Sequence, residues 1–493
     1  MSESAPGKSV WRLIGESMLA LVVGIVLAVL VQRIFGEEFA TRQQALVYSP
    51  IAGFGYGEGS RDQLRVLLID DAALVAAGQG WPAQYSYSAR LLRAVSQYRP
   101  KAVFIDIYYA ATREDASLPL LLQQLCRLKE QGTAVYLAAT RNRTGAYALR
   151  PELEQLAGRC FEKVAVRYTP DAIDRMAWNY PLRQNDASNG VAVRSAALAL
   201  YESGRAKLAG DTPPLALTWG SRAAHNGVGW VGDDGKSAYC RRSRGAADLW
   251  RSVIPASMYD DGEQPVCVYH ETIRAGQLTS TTAEEDARLR QLIEGKVLMI
   301  GTALADSGDL VLSPIHGRIP GVYLHAMALD NLLTQGADYA RDMPLSFDRR
   351  HAPLLLFLFV ALAAVTLLPK LFDAWLLARV RRPWLKDPLQ AVANRNWLRC
   401  RRVDPIAALA FLAMCALRVL LSLAVGALVL WVGQRFLGLG VLSIMGVIFL
   451  TMMAELFKFN QKLIKYLVPS SGPSPVSPHP SQEPSDAVVS EPV

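Results

Sequence analysis

Two short runs, RVLLIDD over Arg65–Asp71 and AVFIDIY over Ala102–Tyr108, each set branched and aromatic residues directly before an aspartate. Runs of five or so apolar residues bounded by polar ones read as buried strands. AVYLA at Ala134–Ala138 and KVLMI at Lys296–Ile300 repeat the pattern. Helical spacing fills the gaps, over Ser88–Gln97, Pro119–Lys129 and Gly321–Leu333. Strand and helix in alternation predict an α/β domain with a mostly parallel sheet, joined by crossover units. From Asn185 the rhythm breaks. A helix over Ser195–Glu202 is followed by Gly-rich, Trp-bearing pieces around Trp219 and Trp230, with Asp234-Gly235 placed as a hairpin turn. This middle reads as an antiparallel insertion, after which Lys296–Ile300 rejoins the first sheet and Gly301 opens a loop.

Outside the domain the chain is apolar. It is 493 residues long, 51% hydrophobic and only 19% charged, which points to a membrane protein. Four stretches approach the roughly 20 apolar residues of a bilayer span: 13–35, 352–369, 406–432 and 437–457. The expected fold is therefore an exported α/β domain with four transmembrane helices, one before it and three after. The net charge of +8 does not indicate nucleic acid. Residues 36–350 hold 35 basic and 35 acidic side chains, so the surplus lies in the flanks. The loop 370–404 carries nine Lys or Arg, from Lys370 to Arg402, which marks it as cytoplasmic. Parity then puts 1–12 inside, 36–350 outside and 458–493 inside; a cleaved signal peptide is the alternative for 13–35. Trp375, Trp384 and Trp397 among those charges suit a segment on anionic lipid. The Pro/Ser-rich stretch after Pro469 has the composition of a disordered tail.

Cys126, Cys160, Cys240 and Cys267 fall in the exported segment, an even number with three possible pairings. Cys126 with Cys160 and Cys240 with Cys267 is the expectation; four free or buried thiols are the alternative. No CxxC or HExxH spacing occurs, so neither a metal site nor a cofactor is expected. In parallel sheets ligands sit beyond the carboxyl ends of the strands, where this chain sets Asp70, Asp71, Asp106 and Asp309. These four form the candidate ligand site, with helix or turn capping as the competing role. Asp106 stands between apolar neighbours, where an acid is costly unless hydrogen-bonded. Carboxylates can also do acid–base chemistry, but no nucleophile elbow or Walker loop accompanies them, and no catalytic residue or enzyme activity is expected. Gly53, Gly55, Gly57 and Gly59 lack the preceding strand of a dinucleotide fingerprint and read as a connector. His325 reads as a packed helical residue. Arg418, midway along 406–432, would cost roughly 2.5–3.5 kcal/mol in lipid and is expected to face the bundle or a partner helix.

Two blocks carry a resemblance. Val66–Tyr109 has a strand ending in Ile69-Asp70-Asp71, a Trp81-Pro82 pair, a helix, and a strand with Phe104-Ile105-Asp106. Gly295–Tyr339 has GKVLMIGTALADSGDLVLSP and IPGVYLHAMALDNLL. Together they resemble the second type of the cyclase and histidine-kinase associated sensory extracellular domain, of the CHASE superfamily. The resemblance implies a periplasmic sensor at a bacterial inner membrane, with one span before it and three after. Two departures stand out. Ala83, Gln84 and Tyr85 follow the Trp-Pro pair where the family commonly has an aromatic, a Pro and an Arg, so no Arg-dependent contact carries over. Neither 370–404 nor 458–493 is long enough for the usual cyclase or kinase. The expected function is thus a sensor that binds an unknown small ligand and signals through a separate protein, possible as an oligomer. The competing reading is a structural or regulatory subunit of an envelope secretion or assembly complex.

Overall fold

The computed structural model describes residues 15, 37–187, 190–205, 207–208, 212–224, 240, 266–279, 282–305, 309–342, 360, 368, 371–372, 375, 405–445 and 448. In chain order the elements are α1 (Glu37–Gly55), β1 (Leu64–Asp70), α2 (Asp71–Ala76), α3 (Tyr85–Ser96), β2 (Ala102–Ile105), α4 (Leu118–Glu130), β3 (Ala134–Arg141), β4 (Tyr147–Ala148) and α5 (Pro151–Glu154). Then come β5 (Glu162–Ala165), β6 (Asn179–Tyr180), β7 (Arg183–Asn185), β8 (Ala192–Arg194), α6 (Ala196–Glu202) and β9 (Leu215–Ala216). The described chain continues with β10 (Thr272–Arg274), α7 (Ala283–Ile293), β11 (Val297–Ala303), β12 (Leu310–Ser313), β13 (Gly317–Pro320), α8 (Val322–Gln335) and α9 (Pro405–Leu437).

The main sheet runs β10–β1–β11–β2–β3, all parallel, and the outer edge of β3 takes β5 in parallel and β4 antiparallel. β11 is the central strand. It pairs with β1 from Leu64 opposite Val297 to Asp70 opposite Ala303 and with β2 on its other side, so the last strand of the sheet separates the first two. Strands buried on both faces read as near-continuous apolar runs, and all seven residues of β1 and of β11 are buried, with Arg65, Asp70 and Thr302 the polar exceptions.

Alternation divides the side chains between two cores. Leu67, Ile69, Val103, Ile105, Leu298 and Ile300 pack beneath α3, α4 and α7. Leu64, Val66, Leu68, Phe104 and Met299 face α6 and α8. Leu118, Leu121, Leu125 and Leu128 make a single buried stripe on α4, the i, i+3, i+4 spacing of one helix face. Side-chain oxygens start the helices on both faces: Ser195 accepts from Leu198 N at 3.3 Å and Thr282 from Glu285 N at 3.3 Å. Such caps contribute about 1 kcal/mol each.

Gly301 does not open a loop, because β11 continues through it to Ala303. It sits beneath α8, where an added Cβ would lie 2.5 Å from Val322 Cβ, so glycine lets helix and strand approach. The middle of the chain is antiparallel where described, β6 pairing with β9 and β7 with β8. The turn at Asp234-Gly235 lies outside the described residues.

The four expected membrane helices are corrected. Among the described residues no helix is long and apolar enough to cross a membrane. The stretches 13–35 and 352–369 lie outside the described residues except for isolated positions, as do 370–404, save 371–372 and 375, and the tail from 458. The run expected as a span at 406–432 is α9, and its Val425, Val429 and Leu430 are buried against Ala45 and Tyr48 of α1, with Trp178, Val441, Ile444 and Met445 completing the cluster. Protein buries that face of α9, while Leu412, Leu417, Leu420, Leu428, Trp431 and Phe436 of the same helix are exposed. Arg418 lies on α9, its side chain outside what is described. α1 was expected as a connector at its glycine end; instead Gly53 lies within the helix, pressed against the Trp219 carbonyl and Ile315.

Candidate functional site at the carboxyl edge of the sheet

Ala102 and Phe104 point to the α8 side of the sheet, and two residues on, the same parity carries Asp106 there. Its amide donates to Ile300 O at 2.8 Å, holding the chain beside β11 one residue past the strand. The Asp106 carboxyl is buried, and its Oδ2 lies 3.6 Å from Nε2 of His325 on α8. His325 Nδ1 is 2.7 Å from the Tyr180 hydroxyl of β6, a hydrogen bond whose direction depends on the imidazole tautomer. The edges of Phe104 and Tyr180 close around the imidazole, with ring centroids 5.4 and 5.5 Å away.

Asp309 joins this group from the start of the β12–β13 hairpin. Its carbonyl accepts from Gly321 N at 3.0 Å, and its carboxylate fills the space a side chain at Gly321 would occupy. Burial raises the Asp309 carboxyl to about 6. Asp106 is raised well above the ordinary carboxylate range, by burial first and then by the Asp309 charge. Burial lowers His325 to about 3. Burial thus favours the uncharged form of both the Asp106 carboxyl and the His325 imidazole, because desolvation of both outweighs their attraction at 3.6 Å. Tyr108, 56% exposed, and Tyr168 lie within electrostatic reach of the carboxyls. Chemically, this edge offers carboxyl and imidazole groups that can donate or accept hydrogen bonds.

Asp70 and Asp71 are held apart from that pair in other roles. Asp70 Oδ1 accepts from Ala73 N at 2.9 Å and caps α2, while its Oδ2 is 4.0 Å from Arg274 Nε. Asp71 Oδ2 accepts from Ala305 N at 3.1 Å, tying α2 to the loop after β11. Of the four carboxylates, Asp106 and Asp309 lie within electrostatic reach of each other, Asp106 at His325 and Asp309 at Gly321 by the start of α8. Disulfides join Cys126 of α4 to Cys160 and Cys240 to Cys267, with Cα separations of 4.4 and 4.8 Å. Among the described residues no group of three His, Cys, Asp or Glu could hold a metal ion.

Sequence reasoning missed Tyr180, which lies in the irregular middle of the chain, and the partners of His325. It also missed a cation–aromatic cluster beside the Trp81-Pro82 pair. The Arg113 guanidinium stands 4.0 Å from the Tyr85 ring centroid and donates to the carbonyls of Pro82, at 3.2 Å, and Ala83, at 2.6 Å. Arg150 Nη1 donates to the Tyr85 hydroxyl at 2.7 Å. The residues after Trp-Pro supply no arginine; the loop following β2 brings one. A separate crevice, lined by Ser49, Trp178, Leu217, Trp219, Ile315 and others, opens beside α1. It holds about 10 Å³ of water-accessible space, room for about one water, and shares no lining residue with the carboxyl pair.

α8 has a second polar end. Asp330, fully buried, accepts from Tyr56 Oη at 2.7 Å and lies 3.3 Å from His270 Nε2. Asn331 accepts from Thr218 N at 2.9 Å and donates to Thr218 O at 3.0 Å, and Gln434 of α9 donates to Thr218 Oγ1 at 3.4 Å. One helix thus touches the carboxyl edge at one end, and the close of α1 and the neighbours of α9 at the other.

Comparison with curated proteins finds no match, and comparison with solved structures finds none. A family model does match, described as the CHASE2 domain and covering residues 18–367, well over half of the chain. CHASE2 domains are sensory and usually extracellular or periplasmic. By that match, this chain belongs to the CHASE2 domain family.

Proposed function

We propose that this CHASE2 chain works outside the cytoplasm as a sensor, receiving a small polar cue at the edge formed by Asp106, Asp309 and His325, and signalling through a separate protein. One observation carries the reading: two buried carboxyls and a buried imidazole converge where parallel strands end, the edge at which such sheets take ligands. Buried acids kept near neutrality are functional-site candidates. The two disulfides support an oxidising compartment. The role assigned is binding rather than catalysis, since a cue that favours one of two conformations is sufficient to bias a partner.

The donor and acceptor set favours a small molecule bearing ammonium and hydroxyl groups, and glucosamine and putrescine serve as probes. Thermal shift and calorimetry of the full chain should show binding by at least one probe, lost in Asp106→Asn and in Asp309→Asn with the fold retained. Binding that survives both substitutions, or no binding of either probe, counts against this site.

A further inference from the structure

We propose that the Asp106–Asp309–His325 cluster is a proton switch, in which uptake of one proton by the carboxyl pair resets α8 and, through Asp330 and Tyr56, the end of α1. The inference rests on the reading of this edge as the sensory end and names the proton as a regulator of it. Two carboxyls in one desolvated site cannot both ionise freely, so the pair titrates as a unit. Among the described residues, the groups facing it include His325 from α8, Tyr180 from β6, Tyr108 after β2 and Tyr168 after β5. The imidazole is held neutral by burial. Ionisation of Asp309 therefore puts a charge into a buried setting that includes phenols and an uncharged ring. It falls near pH 6, where Asp309 titrates.

α8 is placed to transmit the change. Gly321, at its start, is pressed on the Asp309 carboxylate, and His325 lies one turn further along. The helix is buried from Val322 to Leu332 and is about 21 Å long at 1.5 Å per residue. Its far end carries Asp330 and the bond to Tyr56, just beyond α1. A packed helix responds to a shift at one end as a body rather than by bending, because close-packed interfaces yield in discrete steps.

The test is hydrogen exchange by mass spectrometry on the full chain across pH 4.5–8, with rates corrected for intrinsic chemistry. The expected result is that peptides covering 322–335 and 52–57 change protection together with a midpoint near pH 6. The size expected is about tenfold, the effect of one pKa unit of differential proton binding. Asp309→Asn should remove the midpoint, and Asp309→Glu should keep a shifted one. The same midpoint in Asp309→Asn, or a change at 322–335 with none at 52–57, overturns the switch. If the probes bind but no midpoint exists, the switch fails while the receiving edge stands; a midpoint without probe binding upholds the switch and removes the small-molecule reading.

Discussion

The Tyr56 hydroxyl donates to an Asp330 carboxylate oxygen at 2.7 Å, joining residues 274 positions apart inside a buried site. Burial first, and then the Asp330 charge, raise the Tyr56 phenol well above its ordinary value, so it remains a donor at any physiological pH. This bond fastens the close of α1 to α8, and it can be removed with one atom. Tyr56→Phe should cost about 1–3 kcal/mol, the range for stranding a buried polar partner, measured by urea denaturation of the full chain. Probe binding at the carboxyl edge should persist. A variant as stable as the parent would show that Thr334 and His270 satisfy Asp330 unaided.

Acid should unfold the domain partly through His316. Its Nε2 lies 2.9 Å from Gly220 O and its Nδ1 3.4 Å from Val266 O, contacts that favour a proton, yet burial wins and lowers it from 6.5 to about 4. A depressed folded value means the unfolded chain binds the proton more tightly. The stabilisation is therefore complete above about pH 6.5 and is lost as pH falls toward 4, by about 3 kcal/mol at 1.36 kcal/mol per unit. His325 acts in the same direction between 6.5 and about 3. Asp309, raised to about 6, acts oppositely: its stabilisation is present below about pH 4 and lost as pH rises through 6. His316→Gln should flatten the stability profile between pH 4 and 6.5, while Asp309→Asn should steepen the acid loss. Parallel profiles for all three proteins would refute both assignments.

Gly301→Ala tests the approach of α8 to β11. The new Cβ would meet Val322 Cβ at 2.5 Å, and overpacking of this kind costs about 1–3 kcal/mol. Combining it with Val322→Ala, which keeps Cβ but removes the Cγ atoms at 2.7 and 3.1 Å, should recover part of the loss, since residues in contact couple by about 0.5–3 kcal/mol in a double-mutant cycle. Additive effects would mean that the helix gives way elsewhere.

Reduction is the last lever. Cys126–Cys160 spans 34 residues and Cys240–Cys267 spans 27, and closing such loops contributes about 3–4 kcal/mol each in the chain-entropy account. Cys126→Ala with Cys160→Ala should lower the denaturation midpoint, and added dithiothreitol should have less further effect than on the parent chain. An unchanged midpoint would show that the pair forms no bond in the folded protein.

How much the sequence revealed differs between elements. The strands around 65–69, 102–105, 134–138 and 297–300 were legible because apolar runs between helical periods are local signals. Asp106 was legible as an oddity, an acid among apolar residues. His325 was read as a packed residue, and it is buried; nothing in its own spacing revealed that the packing includes Asp106 and Tyr180. α1 was not legible, because Pro50 and Gly53 within it both speak against a helix. The run at 406–432 was read as a span from hydrophobicity alone, a quantity that does not distinguish lipid from a protein surface such as Tyr48 and Ala45.

What the sequence determined by itself is the alternation of β1, β2, β3 and β11 with α3, α4, α6 and α8, since apolar periodicity acts over a few residues and needs no distant partner. What only the tertiary structure decided is their neighbourhood. The insertion of β11 between β1 and β2 lays α8 against β2, and with it His325 against Asp106, 219 positions apart in the numbering. It also separates Asp70 and Asp71, which became caps and ties, from the pair that remained. The free energy of those meetings comes from surfaces contributed by remote parts of the chain, and no local window of sequence contains them.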